Sequence, residues 1–415
     1  MGSTSEPTGQ IDTPEPLRYQ QDVLAYLRDN ERPLWNWFAS HKRRGEYAEA
    51  VRMDLLKSTY RLDRGNHRDL YEKARAAASR LGIAAPVTLY QAQQAQSMNV
   101  SLAYTPGEAH IVLQGDVQSL LADREFEAMF GHELGHFLLW ERWDGSYLVA
   151  SDLLAALTRD PSADPVHVES ARLFGLYGEA YCDRVALQAT GDLLTVVSTL
   201  IKIETGLKNV SAGSYLTQVA EIFSSSDVKA DGLTHPEVYI RTRALQLFDQ
   251  GAEDTDRAVA RMIEGDPGLD TLDLLGQRRV ADLTRRLIDR VLSKPWMRTD
   301  ANLSHARLFF DKYAPPGAGD PSLPTDLKTS DEALRKYYTY VLLDFVAADR
   351  ALEEAPLAWG LLLAEELGLA ELFEKAARKE LSLIKKVLQR VRKDAEKTVA
   401  AADRELPKPG EGSAP

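Results

Sequence analysis

The chain has 415 residues, 44% hydrophobic and 27% charged, the balance of a globular protein with length for two or three domains. Fifty Lys and Arg against 62 Asp and Glu give a net charge of −12, which excludes a chain built to coat nucleic acid, because phosphate binding wants a basic surface. Cys182 stands alone, so no intramolecular disulfide can form and a disulfide-stapled secreted scaffold is excluded.

Residues 1–16 are polar and rich in Pro, Ser and Thr, which predicts a disordered leader. No basic stretch followed by an apolar one marks a secretory signal there, and Glu6 stands where the myristoylation pattern wants Ser or Thr. The chain has no charge-free apolar window of about 18 residues, so no integral membrane segment is expected and the expected compartment is the cytoplasm.

From Leu17 to Leu81 the pattern is helical, with apolar faces from Val23, Leu24 and Leu27, from Trp35, Trp37 and Phe38, and from Leu70, Ala74, Ala77 and Leu81. Residues 86–90 and 99–104 read as strands. Thr105-Pro106-Gly107-Glu108 is turn chemistry, and residues 109–113 are a third strand that closes a hairpin with the second. Helical patterns follow at 123–141, 146–158, 166–189, 192–205 and 213–224. Residues 224–234 form a loop, and a helix runs from near Pro236 past Phe248. Residues 250–275 mix acid and glycine and read as a connection. The remainder is helical, with a loop at 314–321, a final helix over 372–406 and a disordered tail at 407–415. The expected fold is therefore mainly α with a small β element (α+β): one domain over 17–250 and an all-α accessory domain over 276–406.

The chemistry concentrates at His132-Glu133-Leu134-Gly135-His136, an H-E-x-x-H pattern inside a helical stretch. Residues four apart on a helix lie about 40° apart in projection and one turn apart in height. Both imidazoles can thus converge on one metal ion, and Glu133, about 100° round from His132, can reach a water beside it. Imidazole suits zinc, and three protein ligands with an open fourth position mark a catalytic site. The bulky neighbours Phe126, Met129, Phe130, Phe137, Leu138 and Leu139 predict a buried helix, in which unpartnered histidines would be costly. Glu179 is the preferred third ligand, 43 residues after His136 on another helix. Glu169, Glu204 and Cys182 are its rivals. Asp183, one turn beyond Glu179, can accept the second N–H of a ligating imidazole.

Gly131-His132-Glu133-Leu134-Gly135-His136, then Glu179 and Asp183, then Thr234-His235-Pro236 and Arg241 occur in an order similar to the HtpX and CAAX-prenyl-protease family of zinc metallopeptidases, a gluzincin group. The upstream strand, Asn99, and Ile111-Val112-Leu113 also resemble that family, and the likeness spans residues 65–250. It implies a gluzincin-type metallopeptidase domain with a small sheet beside the H-E-x-x-H helix, His132, His136 and Glu179 as Zn2+ ligands, and Glu133 as general base. Asp183 is implied as a supporting residue, and His235 and Arg241 lie near substrate. Cys182 and Val100 stand where the family usually has Ala, and the transmembrane helices of many members have no counterpart here.

The expected activity is a zinc-dependent endopeptidase acting on a peptide or protein substrate, with His235 donating to the oxyanion and Tyr177 and Tyr239 as substitutes for it. The competing expectation is a non-enzymatic zinc-containing interaction or stress-response scaffold. An aminopeptidase or non-peptide hydrolase would share the metal site. Residues 338–381 weakly resemble the TerB-like helical domain, with Arg350 in place of the usual glycine after Asp349. That likeness implies a module that binds a partner protein.

Overall fold

The computed structural model describes residues 13–42, 46–93, 97–226, 228–252, 254–265, 268–269, 271–315, 322–328 and 330–404. The chain divides into two compact units, Met1–Gly265 and Asp266–Pro415. The expected tail, residues 1–12 of the expected leader and residues 316–321 of the expected loop lie outside the described residues.

The first unit opens with α1 (Arg18–Asn30), α2 (Arg32–Lys42), α3 (Glu46–Ser58), β1 (Thr59–Arg61), α4 (Arg68–Arg80), β2 (Val87–Ala92), β3 (Asn99–Thr105) and β4 (Glu108–Gln114). It continues through α5 (Val117–Leu120), α6 (Asp123–Leu157), α7 (Pro165–Thr190), α8 (Leu193–Thr205), α9 (Ala212–Ser225), α10 (Val238–Gln250) and α11 (Thr255–Glu264). The four strands form one sheet in the order β1-β2-β4-β3. β2 runs parallel to β4, with Leu89 opposite Ile111, and β3 is antiparallel to β4, with Leu102 opposite Ile111. Gly107, at φ 74°, supplies the left-handed turn that closes the expected hairpin.

β4 is buried continuously from Ala109 to Leu113 because both faces are covered. Leu55 of α3 packs with Tyr90 and Val112 on one side. On the other, the Tyr104 ring lies 6.1 Å from Phe137 and 5.5 Å from Trp140 of α6. β3 is thus an edge strand beside the helix that carries the motif.

β1 corrects the expectation of unbroken helix from Leu17 to Leu81. Its Thr-Tyr-Arg triplet is β-branched and aromatic, and it pairs antiparallel with β2, a partner that local periodicity cannot reveal. α11 likewise falls inside the expected connection. Val259, Met262 and Ile263 are buried there at helical spacing, and Met262 accepts a backbone hydrogen bond from Ala230 at 2.9 Å.

The two helical patterns at 123–141 and 146–158 emerge as the arms of α6. They are joined without a loop through Arg142, at ψ 143°, and through Trp143, Asp144 and Gly145 at φ 53°, 57° and 74°. Left-handed backbone costs about 1–2 kcal/mol per non-glycine residue, so the break needs anchoring. Arg142 anchors it by donating to Thr13 Oγ1 (3.2 Å) and the Pro14 carbonyl (3.0 Å) and by pairing with Glu15 at 2.8 Å. Residues 13–16, expected in the disordered leader, are therefore tied down, and Pro16 and Leu17 are buried.

α6 and α7 pack closely because Gly131 and Gly135 face α7. A Cβ on Gly131 would stand 2.7 Å from Ala189 Cβ, and one on Gly135 would stand 2.9 Å from Cys182 Cα. α7 begins at Asp164, whose side chain accepts from the Val166 amide, with Pro165 in the first turn, and ends at Gly191 in the left-handed region.

The second unit contains α12 (Leu274–Val291), α13 (Asp300–Phe309), α14 (Leu323–Lys328), α15 (Glu332–Ala347), α16 (Ala355–Glu366), α17 (Ala370–Glu380) and α18 (Lys385–Ala402). Tyr338, Phe345 and Phe373 are fully buried in its core, and Trp359 Nε1 donates to the Val291 carbonyl at 3.0 Å. Gly360 lets α16 approach its neighbours: a Cβ there would meet Val346 Cγ2 at 2.7 Å and Phe373 Cζ at 2.8 Å. The expected final helix over 372–406 is two helices. Ser382 takes φ 53°, and the chain turns between α17 and α18. Among the described residues, no helix is long and apolar enough to cross a membrane.

Candidate metal centre

The motif occupies the first arm of α6, where His132 and Glu133 are buried and His136 is partly exposed. The imidazoles stand 5.2 Å apart, centroid to centroid, with planes at 81°. The glycine seam brings α7 close enough for Glu179 to face both rings. Its Oε2 lies 3.3 Å from His132 Nε2 and its Oε1 3.4 Å from His136 Nε2. Two donors bound tetrahedrally at about 2.0–2.1 Å from one zinc ion lie about 3.3–3.4 Å apart, the spacing that each imidazole keeps from a different oxygen of Glu179.

The hydrogen bonding agrees. Glu179 Oε2 is buried and makes no hydrogen bond, although His235 Nε2 and Arg241 Nη2 also approach it at 3.5 and 3.7 Å. A buried carboxylate oxygen left without a donor is costly unless a cation satisfies it.

Cys182 also approaches the centre. Ligand atoms of His132, His136 and Cys182 lie within 4.8 Å of one another, so these three residues could hold a metal ion. The thiol is fully buried against Gly135, and burial pushes its pKa well above the usual thiol range.

Asp183 sits one turn after Glu179 and accepts on both sides. Its Oδ1 is 3.0 Å from His132 Nδ1, while Arg241 of α10 donates through Nε to Oδ2 (2.7 Å) and through Nη2 to Oδ1 (2.6 Å). The two-pronged Arg–carboxylate pair fixes Asp183, and Asp183 fixes the His132 ring with Nε2 turned inward. Burial opposes charge on Asp183, yet Arg241 and His132 outweigh it and hold the carboxyl below its ordinary range. Burial likewise opposes charge on His132, but Asp183 and Glu179 outweigh it and push the ring up to about 10. Burial dominates at Glu133 and raises its pKa, with the neighbouring histidines and the Leu102 amide of β3 working the other way.

The rival carboxylates are engaged or exposed elsewhere. Glu169 is engaged by Arg172 through two contacts of 2.8 Å. Glu204 is exposed in the last turn of α8. Tyr177 donates to Glu264 at 2.5 Å and stacks on Tyr19, so its hydroxyl is committed elsewhere. Tyr239 packs edge-on against Phe223.

His235 lies outside α10, in the loop three residues before Val238. Its side chain is 51% exposed, with Nε2 toward Glu179 and Nδ1 2.9 Å from Thr234 Oγ1. If the threonine hydroxyl donates to Nδ1, the neutral ring carries its proton on Nε2, the atom turned to the centre. Burial lowers its pKa and favours that neutral form.

Sequence reasoning passed over the two glycines, although the spacing of Gly131 and Gly135 is a readable small-residue seam. It also passed over Arg172 and Leu102, which carry no local signal. Scans against protein-family models, curated proteins and solved structures return no match to this chain.

Proposed function

We propose that the chain is a zinc-dependent endopeptidase. The observation that carries the reading is the approach of one buried carboxylate, Glu179, whose Oε2 makes no hydrogen bond, to both imidazoles of the H-E-x-x-H helix at 3.3 and 3.4 Å. His132, His136 and Glu179 would hold the ion. Zinc supplies a Lewis acid that polarises a carbonyl and brings the pKa of water towards 7.

The other steps belong to the chain. Glu133, with its pKa raised by burial, takes the proton of the attacking water and later delivers it to the leaving amine. His235 offers Nε2–H to the developing oxyanion from a half-exposed position. Asp183 and Arg241 keep the His132 ring in orientation. The edge strand β3, beside Glu133, offers main-chain groups to an extended peptide.

The test joins metal analysis to digestion of a broad peptide library. One zinc per chain and internal cleavage, lost in Glu133→Gln with zinc retained, are the expected results. Zinc-independent cleavage, or full turnover in Glu133→Gln, would refute the reading.

A second reading, a non-enzymatic zinc-containing interaction protein, has Cys182 in its favour, because a fourth protein donor would close the site. Cobalt-substituted protein separates the two. A sulfur-to-cobalt charge-transfer band that disappears in Cys182→Ala supports the closed site, and its absence supports the hydrolase.

A further inference from the structure

The loop that carries His235 is held by parts that the proposed chemistry does not itself use. Arg172 lies on α7, seven residues and about two turns before Glu179. Its guanidinium is locked to Glu169 through Nε and Nη2, both at 2.8 Å. Nη1 then donates to the carbonyls of Ala230 (3.2 Å) and Gly232 (3.1 Å). The side chain is 12% exposed, and Asp231 and Glu237 add to the negative field around it.

The other end of the loop is closed as tightly. The Asp231 amide donates to Glu237 Oε1 at 3.0 Å, and a Cβ on Gly232 would stand 2.0 Å from the His235 carbonyl oxygen. Only glycine allows that approach. The same helix therefore carries the carboxylates of the centre and the cation that fixes residues 230–232, so His235 is set against Glu179 through a single rigid element.

We propose that Arg172 and Gly232 are positioning residues for His235, forming a clamp that holds the 230–237 loop on α7 and directs the ring toward Glu179. The inference rests on the hydrolase reading for its functional consequence and on the contacts alone for the clamp. Lysine at 172 would keep the charge but lose the fork that spans a carboxylate and two carbonyls. Arg172→Lys should therefore fall between wild type and Arg172→Ala.

The experiment uses the full zinc-loaded chain and follows peptide hydrolysis, zinc content and amide hydrogen exchange in Arg172→Ala, Gly232→Ala, His235→Ala and the two double variants with His235→Ala. Gly213→Ala on α9 is the control, since a Cβ there meets nothing within 4 Å. Arg172→Ala and Gly232→Ala should each keep one zinc, speed exchange over residues 230–237, and lower kcat about 10- to 100-fold with little change in KM. In the His235→Ala background neither should cost anything more, because the residue they position is gone. A merely structural role would instead multiply with His235→Ala, and that result, unchanged kcat or unchanged exchange would overturn the proposal. If wild type holds zinc but cleaves no peptide, the hydrolase reading fails separately, and the exchange rates decide the clamp.

Discussion

Gly135→Ala tests whether the helix seam builds the centre. The new methyl would stand 2.9 Å from Cys182 Cα, 3.1 Å from its Sγ and 3.2 Å from its Cβ. The closest of these is backbone, which cannot rotate aside, and ordinary carbon contacts are about 3.5–4.0 Å, so α6 and α7 must part by about 0.5–1 Å. Overpacking of this kind costs about 1–3 kcal/mol, and a backbone clash sits at the upper end. Alanine returns about 1 kcal/mol of helix propensity, leaving a net loss of about 2 kcal/mol.

At roughly 2–4 °C per kcal/mol for a unit this size, Tm should fall by about 4–8 °C. Gly175→Ala on α7 is the matched control. A Cβ there meets nothing within 4 Å, so propensity alone acts and Tm should rise by about 2–4 °C. The same separation widens the 3.3 and 3.4 Å gaps from Glu179 to the histidines, and zinc affinity should drop at least about tenfold. Calorimetry and zinc titration of both variants decide it. A Gly135→Ala protein that melts no lower than wild type and holds zinc as tightly would refute the argument.

Asp183→Asn removes the charge that pairs with Arg241. It should cost about 3–5 kcal/mol, because it strands a buried guanidinium, and should weaken zinc about 10- to 100-fold, as read by denaturant titration and competition with a chelator. The pH dependence of that difference follows from the depressed Asp183 carboxyl. The contribution is fully present above the ordinary Asp range near 4 and is lost as pH falls through the lower folded value, so the stability gap between wild type and Asp183→Asn should hold from about pH 6 to 5 and close only below about 4. A gap that closes between pH 7 and 6 would point to a histidine instead. His235→Ala should lower kcat about 100-fold with zinc content unchanged. Unchanged kcat on several peptides would leave this ring without a chemical role.

Elements whose signals are local are legible in the amino-acid sequence alone. The H-E-x-x-H spacing lies on a helix because residues four apart share a face, and the hairpin of β3 and β4 follows from Thr105-Pro106-Gly107-Glu108 between two alternating runs. The helical character of the second unit is likewise legible from periodicity. What depends on distant partners comes from packing. β1 is a strand only because β2 lies beside it, and residues 13–16 are ordered only because Arg142 sits at a helix break. Sequence order named Glu179, Asp183 and Arg241, but their convergence depends on two glycines that let α6 and α7 approach. His235 reaches the centre from a loop fixed by Arg172, more than 60 residues earlier in the chain. No window of sequence contains both residues, and contact between them is set by chain folding, which periodicity cannot encode.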